Sequence, residues 1–196
     1  MKYAAIVEFK KDLSKYDETR PIHRDYLVSL MAQGKLFLAG GFTDKSGGMI
    51  IYEAESPKQV EEMLLADPFL AAGVFDTWTI HPYNAFFVSP QLLPPAQVSV
   101  KYAAIIQYPN EPEKIASIRP THRVYLSSLQ AAGKLPVSGP FTDDSGTLIV
   151  YQADSPEAAE ALLQADPFAQ AGVFVKYQIR PWNVVLGNES MYPKAS

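Results

Sequence analysis

RPIHRDYL (residues 20–27) and RPTHRVYL (residues 119–126) are two versions of one phrase, and their spacing decides how the whole chain is read. The histidines stand at 23 and 122, an offset of 122 − 23 = 99, and that offset aligns the chain with itself from end to end without a gap. KYAAI at Lys2 returns at Lys101, GKL at Gly34 returns at Gly133, ADPF at Ala66 returns at Ala165, and AGVF at Ala72 returns at Ala171. About half of the aligned positions are identical, far above chance, which marks an internal duplication of two units; a solenoid needs shorter periods and more copies.

Within each unit the hydrophobic period alternates between that of a strand and that of a helix. Tyr3 to Phe9 is an apolar run that predicts a first strand. Thr19 is placed to cap a helix with Pro21 in its first turn, and Gly34 or Gly133 supplies the stop. LFLAGGF and LPVSGPF predict second strands, TDKSGG and TDDSGT turns, and MIIYEA and LIVYQA third strands. Ser56 or Ser155, each followed by proline, opens a second helix, and Gln59 completes a capping box in the first copy only. VFDTWTIHP and VFVKYQIRP predict a last strand. The order βαββαβ implies a ferredoxin-like α+β unit with both helices on one face of the sheet. The other face needs a cover, and the second copy supplies one. The expected fold is therefore two tandem ferredoxin-like units forming an intrachain dimeric α+β barrel, a pseudo-dimer. The expected boundaries are 1–86 for the first domain, 87–100 for a Pro-containing linker, 101–186 for the second domain, and 187–196 for a tail expected to fray.

Bulk composition narrows the function classes. With 196 residues, 47% hydrophobic and 19% charged, the chain suits a soluble globular protein of two small domains. A formal net charge of -4 and the lack of any Lys/Arg stripe argue against a nucleic-acid partner. The absence of cysteine removes disulfides, thiolate metal sites and cysteine nucleophiles. MKYAAIVEFKKD carries charges unlike those of a signal peptide, and no run of about 18 apolar residues occurs, so the expectation is a cytoplasmic protein with no membrane partner.

Candidate chemistry gathers on the repeated motifs. Helical spacing puts His23 on one face with Tyr26, Leu27 and Leu30, and His122 with Tyr125, Leu126 and Leu129, so both imidazoles are expected to point inward. Each is read either as a core histidine satisfied by a backbone carbonyl or as a functional base. Asp67 and Asp166, each followed by proline, suit an N-cap, and an aspartate held in that way would also make a rigid partner for an imidazole. Arg20 and Arg119, one turn before the histidines, either bind an anionic or phenolate substrate or pair with a carboxylate. Gly40 and Gly139 leave room for a ligand or for close backbone packing. Thr43-Asp44 and Thr142-Asp143 read as turn formers, and His81, matched by Arg180, is given no role. There is no phosphate loop, no G-x-S-x-G elbow and no H-E-x-x-H, and histidines are too few for an ordinary zinc cluster; neither metal nor cofactor is expected.

Taken together, R-P-x-H on the first helix, a small-Gly-Pro segment on the second strand and A-D-P-F-x-x-A-G-V-F before the last strand resemble the YCII (YciI-like) domain family. The likeness spans Lys2 to about Asn84 and Lys101 to about Asn183. It implies a ferredoxin-like fold whose single-domain members pair into a dimeric barrel, and a His-Asp pair in a cleft as the site. On this chain those pairs are His23 with Asp67 and His122 with Asp166. A related branch includes dehydrochlorinases of chlorinated hydroxyhydroquinones. One departure is local: the first copy reads Ala39-Gly40-Gly41 where the second keeps Ser138-Gly139-Pro140.

Two functions are carried forward. In the first, the protein is a cofactor-free lyase or isomerase acting on a small cyclic or aromatic oxygenated compound, with His23 and His122 as general bases, Asp67 and Asp166 orienting them, and Arg20 and Arg119 binding substrate oxygens. In the second, it is a non-catalytic module that uses the same cleft to bind a small molecule or a partner protein. Both leave open whether whole chains pair into a homodimer.

Overall fold

The computed structural model describes residues 1–194. In chain order its elements are β1 (Lys2–Phe9), α1 (Tyr16–Ala32), β2 (Leu36–Phe42), β3 (Gly47–Glu53), α2 (Pro57–Leu65), the one-turn α3 (Pro68–Ala71), β4 (Phe75–Tyr83) and a short β5 (Phe87–Val88). The second unit repeats the plan as β6 (Ser99–Gln107), α4 (Pro112–Ala131), β7 (Val137–Pro140), β8 (Gly146–Tyr151), α5 (Pro156–Gln164), the one-turn α6 (Pro167–Gln170) and β9 (Lys176–Gly187).

Local chemistry accounts for most of the boundaries. Ser56 and Ser155 accept the backbone N–H of Gln59 and Ala158, capping α2 and α5. The Gln59 carboxamide oxygen accepts from the N–H of Glu55, one residue before the cap, a shifted form of the expected box. Gly34 and Gly133 sit at φ +71 and +68, the left-handed conformation that ends a helix. The start of α1 differs from expectation: the helix begins at Tyr16, and Thr19 lies buried inside its first turns. Tyr16 packs its ring on Phe9 and Phe69, at 5.8 and 5.2 Å between centroids, so a tertiary contact extends the helix one turn ahead of the capping residue. Pro21 is consequently inside the helix, on its exposed side.

The strands join in the order β4-β1-β3-β2-β9-β6-β8-β7-β5, so each unit keeps the 4-1-3-2 arrangement of a split βαβ fold. The edge strand β2 of the first unit pairs antiparallel with β9 of the second, Gly41 opposite Asn183. The two far ends also meet: Tyr83 bridges Phe141, the Asn84 N–H donates to the Pro140 carbonyl at 3.0 Å, and the Thr142 N–H donates to the Pro82 carbonyl at 2.8 Å. The sheet thus curls round into a barrel with its helices outside. Alternation along β1 shows the consequence for packing. Tyr3, Ala5 and Val7 face the helices of their own unit, while Ala4 and Ile6 face the barrel interior, where Phe37, Met49, Trp182, Leu148 and Val150 from both units meet. β1, β2, β3 and β8 are buried on both sides, which is why those runs read as nearly continuous apolar sequence, while β4 and β9 keep exposed positions.

Latches related by the internal pseudo-symmetry hold the units together. Arg180 stacks over Phe42 at 3.7 Å and pairs with Glu8, and at the matching place His81 stacks on Phe141 at 4.3 Å. These residues therefore have a structural part that sequence reading did not assign them. The stretch read as linker contains β5, which pairs with β7, and it buries Leu93 in the barrel core. The tail differs from the frayed segment expected. Asn188 accepts from the Ser190 N–H and donates to the Met31 carbonyl at 3.2 Å, while the Tyr192 hydroxyl donates to the Pro94 carbonyl. These side-chain anchors replace the apolar periodicity that sequence reading looks for. The last two positions of the tail, 195 and 196, lie outside the described residues. Among those described, no helix is long and apolar enough to cross a membrane.

Candidate active site

The two dyads are built by the same local device. Asp67 caps α3, its Oδ1 accepting the Phe69 N–H at 2.9 Å, and the same oxygen lies 2.7 Å from His23 Nδ1. In the second unit Asp166 Oδ1 accepts the Phe168 N–H at 2.8 Å, and His122 Nδ1 lies 2.8 and 2.9 Å from the two carboxylate oxygens. Each aspartate thus caps its turn and meets the imidazole with the same oxygen. Both carboxylates are fully buried, and the His122 side chain is 8% exposed against 15% for His23. An ionised carboxylate can only accept, so Nδ1 carries the proton, and the lone pair of the neutral ring is on Nε2. Among the described residues Nε2 of neither histidine makes a hydrogen bond.

Several supporting side chains were missed by sequence reading. Phe69 and Phe168 stack on the imidazoles with centroids 4.0 Å apart and planes within 9° and 7°, fixing each ring against the turn that carries its aspartate. The Tyr26 and Tyr125 hydroxyls donate to the Met63 and Leu162 carbonyls, both at 2.7 Å, tying the histidine helix to the one before the aspartate. Burial, with the charge of Asp67 adding to it, pushes the Tyr26 phenol up to about 12. Tyr52 and Tyr151 are buried beneath the dyads with hydroxyls that have no partner among the described residues, and burial raises both phenols well above their ordinary value. The signal for all of them was available: each recurs at the same offset as the histidines.

Arg20 and Arg119 are exposed on their helices, and neither forms an ion pair among the described residues. Arg119 lines a cleft of ≈ 150 Å³ beside His122, together with Arg123, Phe168, Tyr108, Ser138 and Thr147. Asn84 and Phe86, from the end of the first unit, and Phe87, from the segment after it, line it as well. Gly139 also lines the cleft, and its reason for being glycine is visible: a Cβ there would strike the Asn84 carbonyl. Gly40 is placed in the same way against the Asn183 carbonyl. Of the two readings of these glycines, close backbone packing accounts for both. Asp44 and Asp143 accept the Ser46 and Ser145 N–H groups, as turn formers do.

A curled antiparallel barrel made of two ferredoxin-like units, each with a buried His-Asp pair where its first helix meets the turn before its last strand, defines a tandem α+β barrel protein. More narrowly, the chain belongs to the YCII-related domain family, whose model matches residues 1–84 and again 100–183. It is 32% identical over 83 residues to Protein YciI of Escherichia coli O6:H1, which covers 37% of this chain and 85% of that protein. A putative monooxygenase from Fusobacterium nucleatum shares the fold across 96% of this chain and 94% of its own, with TM-score 0.59 and 11% identity. The 5-chloro-2-hydroxyhydroquinone dehydrochlorinase from Burkholderia phenoliruptrix, solved with 2,5-dihydroxybenzoquinone, is 26% identical across 43% of this chain and 95% of its own. Its TM-score is 0.39, a level of likeness from which no activity follows.

Proposed function

We propose that the protein is a cofactor-free acid/base catalyst, a lyase or isomerase acting on a small cyclic or aromatic oxygenated compound. The observation that carries this reading is the Nδ1 contact to a buried aspartate, which leaves an unbonded Nε2 beside a cleft about the size of one six-membered ring. In this reading Nε2 takes the proton of a ring hydroxyl, and the oxygen lone pair forms a carbonyl as the ring ketonises at a neighbouring carbon. Where that carbon bears chlorine, the imidazolium delivers its proton to it; Nε2 then takes the proton of the ring hydroxyl para to the new carbonyl, whose oxygen lone pair forms the second carbonyl as the C–Cl bond breaks, and chloride and the proton pass to solvent. Asp67 and Asp166 hold the tautomer and compensate the imidazolium, and Arg20 and Arg119 take substrate oxygens.

A positioned general base contributes about 10² to 10⁴ in rate. The double variant His23→Gln, His122→Gln is therefore expected to lose turnover of a chlorinated hydroxyhydroquinone by that factor, read as chloride release, with its fold intact by circular dichroism. Full turnover in the double variant removes the mechanism. The competing reading, a binding module, draws on the second duty of Asp67 and Asp166 as helix caps; it predicts ring binding without chloride release in the unaltered protein.

A further inference from the structure

The two dyads match, but the walls around them do not. Three hydroxyls in the cleft beside His122 come from Tyr108, Ser138 and Thr147. The positions that match them in the first unit, at 108 − 99, 138 − 99 and 147 − 99, hold Phe9, Ala39 and Gly48. Ser138 is fully buried, its Oγ has no partner among the described residues, and it faces the cleft. A buried hydroxyl left without a partner is costly, and a ligand oxygen would satisfy it. Thr147 donates to the Gly139 carbonyl at 2.7 Å, which leaves its oxygen lone pairs for a donor. Burial keeps the Tyr108 phenol protonated, so it remains an O–H donor at neutral pH.

The mouth differs in the same direction. Arg123 lies over the Phe86 ring at 5.0 Å, beside Arg119. The residue that matches Phe86 in the second unit is Val185, which offers Arg24 no such platform. Phe86 and Phe87 put aromatic surface on the cleft and Arg119 and Arg123 line it too, a combination that suits a flat ring bearing an anionic substituent.

We propose that the second repeat alone holds the ligand site, that Ser138 and Tyr108 determine its specificity for a hydroxylated aromatic ring bearing an anionic group, and that the first repeat serves as its structural wall. This rests on the reading of His122 as the working base, and it goes further by assigning the two repeats different tasks. Asn84 and Phe86 come from the first unit and Phe87 from the segment that follows it, so the second site is incomplete without the first unit even where the first dyad binds nothing.

The test uses 2,5-dihydroxybenzoate, titrated into the full chain by calorimetry, with the histidine ring resonances followed by NMR. One equivalent is expected to bind per chain, with the His122 ring signals moving and those of His23 still. Ser138→Ala with Tyr108→Phe gives the second unit the residues that the first carries naturally, so the variant is expected to fold and to bind about tenfold more weakly per hydrogen bond removed. Equal movement of both histidines, affinity unchanged in the variant, or no binding at millimolar concentration overturns the assignment. Binding at His122 alone in a protein that shows no turnover upholds it while removing only the catalytic reading.

Discussion

At the scale of single residues, two matching lysines show how the copies have diverged. Lys2 pairs with Glu53 at 3.1 Å at the rim of the barrel. Its counterpart Lys101 is fully buried, the position that matches Glu53 holds Gln152, and Lys101 has only the Ser99 hydroxyl, 2.8 Å from Nζ, as a partner among the described residues. Desolvation lowers its pKa from 10.5 to about 8. Below pH 8 both states carry the charge, and the folded state bears the full cost of burying it. Between about 8 and 10.5 the folded state gives up its proton first, so stability rises with pH through that window. Lys101→Met is therefore expected to raise the melting temperature at pH 7 by about 2–4 °C for each kcal/mol recovered. The gain is expected to shrink as the scans are moved toward pH 10. A melting temperature lowered at pH 7 would show that the ammonium has a stabilising partner.

At the scale of elements, the strands and helices were legible because each carries its own signal. Ser-Pro opens α2 and α5, glycine closes α1 and α4, and Asp-Pro opens the turns α3 and α6. The start of α1 and the strand β5 were not legible, because both depend on partners distant in sequence: the Phe9 and Phe69 rings for Tyr16, and the β7 edge for Phe87 and Val88. The glycines of β2 and β7 belong to the same class. Nothing local demands glycine at position 139; the Asn84 carbonyl crossing from the other unit does. Gly139→Ala is expected to cost about 1–3 kcal/mol through that clash. Urea denaturation measures it, and a loss under 0.5 kcal/mol, the ordinary range for an innocuous substitution, would mean that the crossing strand yields freely.

At the scale of the molecule, the barrel interior belongs to neither unit. Trp182 is fully buried there among residues of both units, and its indole N–H donates to the Gly40 carbonyl at 2.9 Å, across the seam. The halves are therefore expected to unfold as one cooperative body despite the duplication. Calorimetry should show a single transition, with Trp182→Ala lowering stability by about 3–5 kcal/mol while keeping the transition single. Two resolved transitions in the unaltered protein would show that each unit folds on its own.

The sequence by itself determined the duplication, the βαββαβ order, the barrel and the residues of both dyads, because each was written in periodicity, in turn chemistry or in a motif said twice. Tertiary structure alone decided that the capping aspartate and the imidazole share one hydrogen bond, that the first unit's end roofs the second unit's cleft, and that the hydroxyls of Tyr108, Ser138 and Thr147 converge on that cleft. The physical reason is separation along the chain. His122 and Asp166 lie 44 residues apart, and Asn84 meets Gly139 across the barrel seam, so their contact exists only once the sheet has closed.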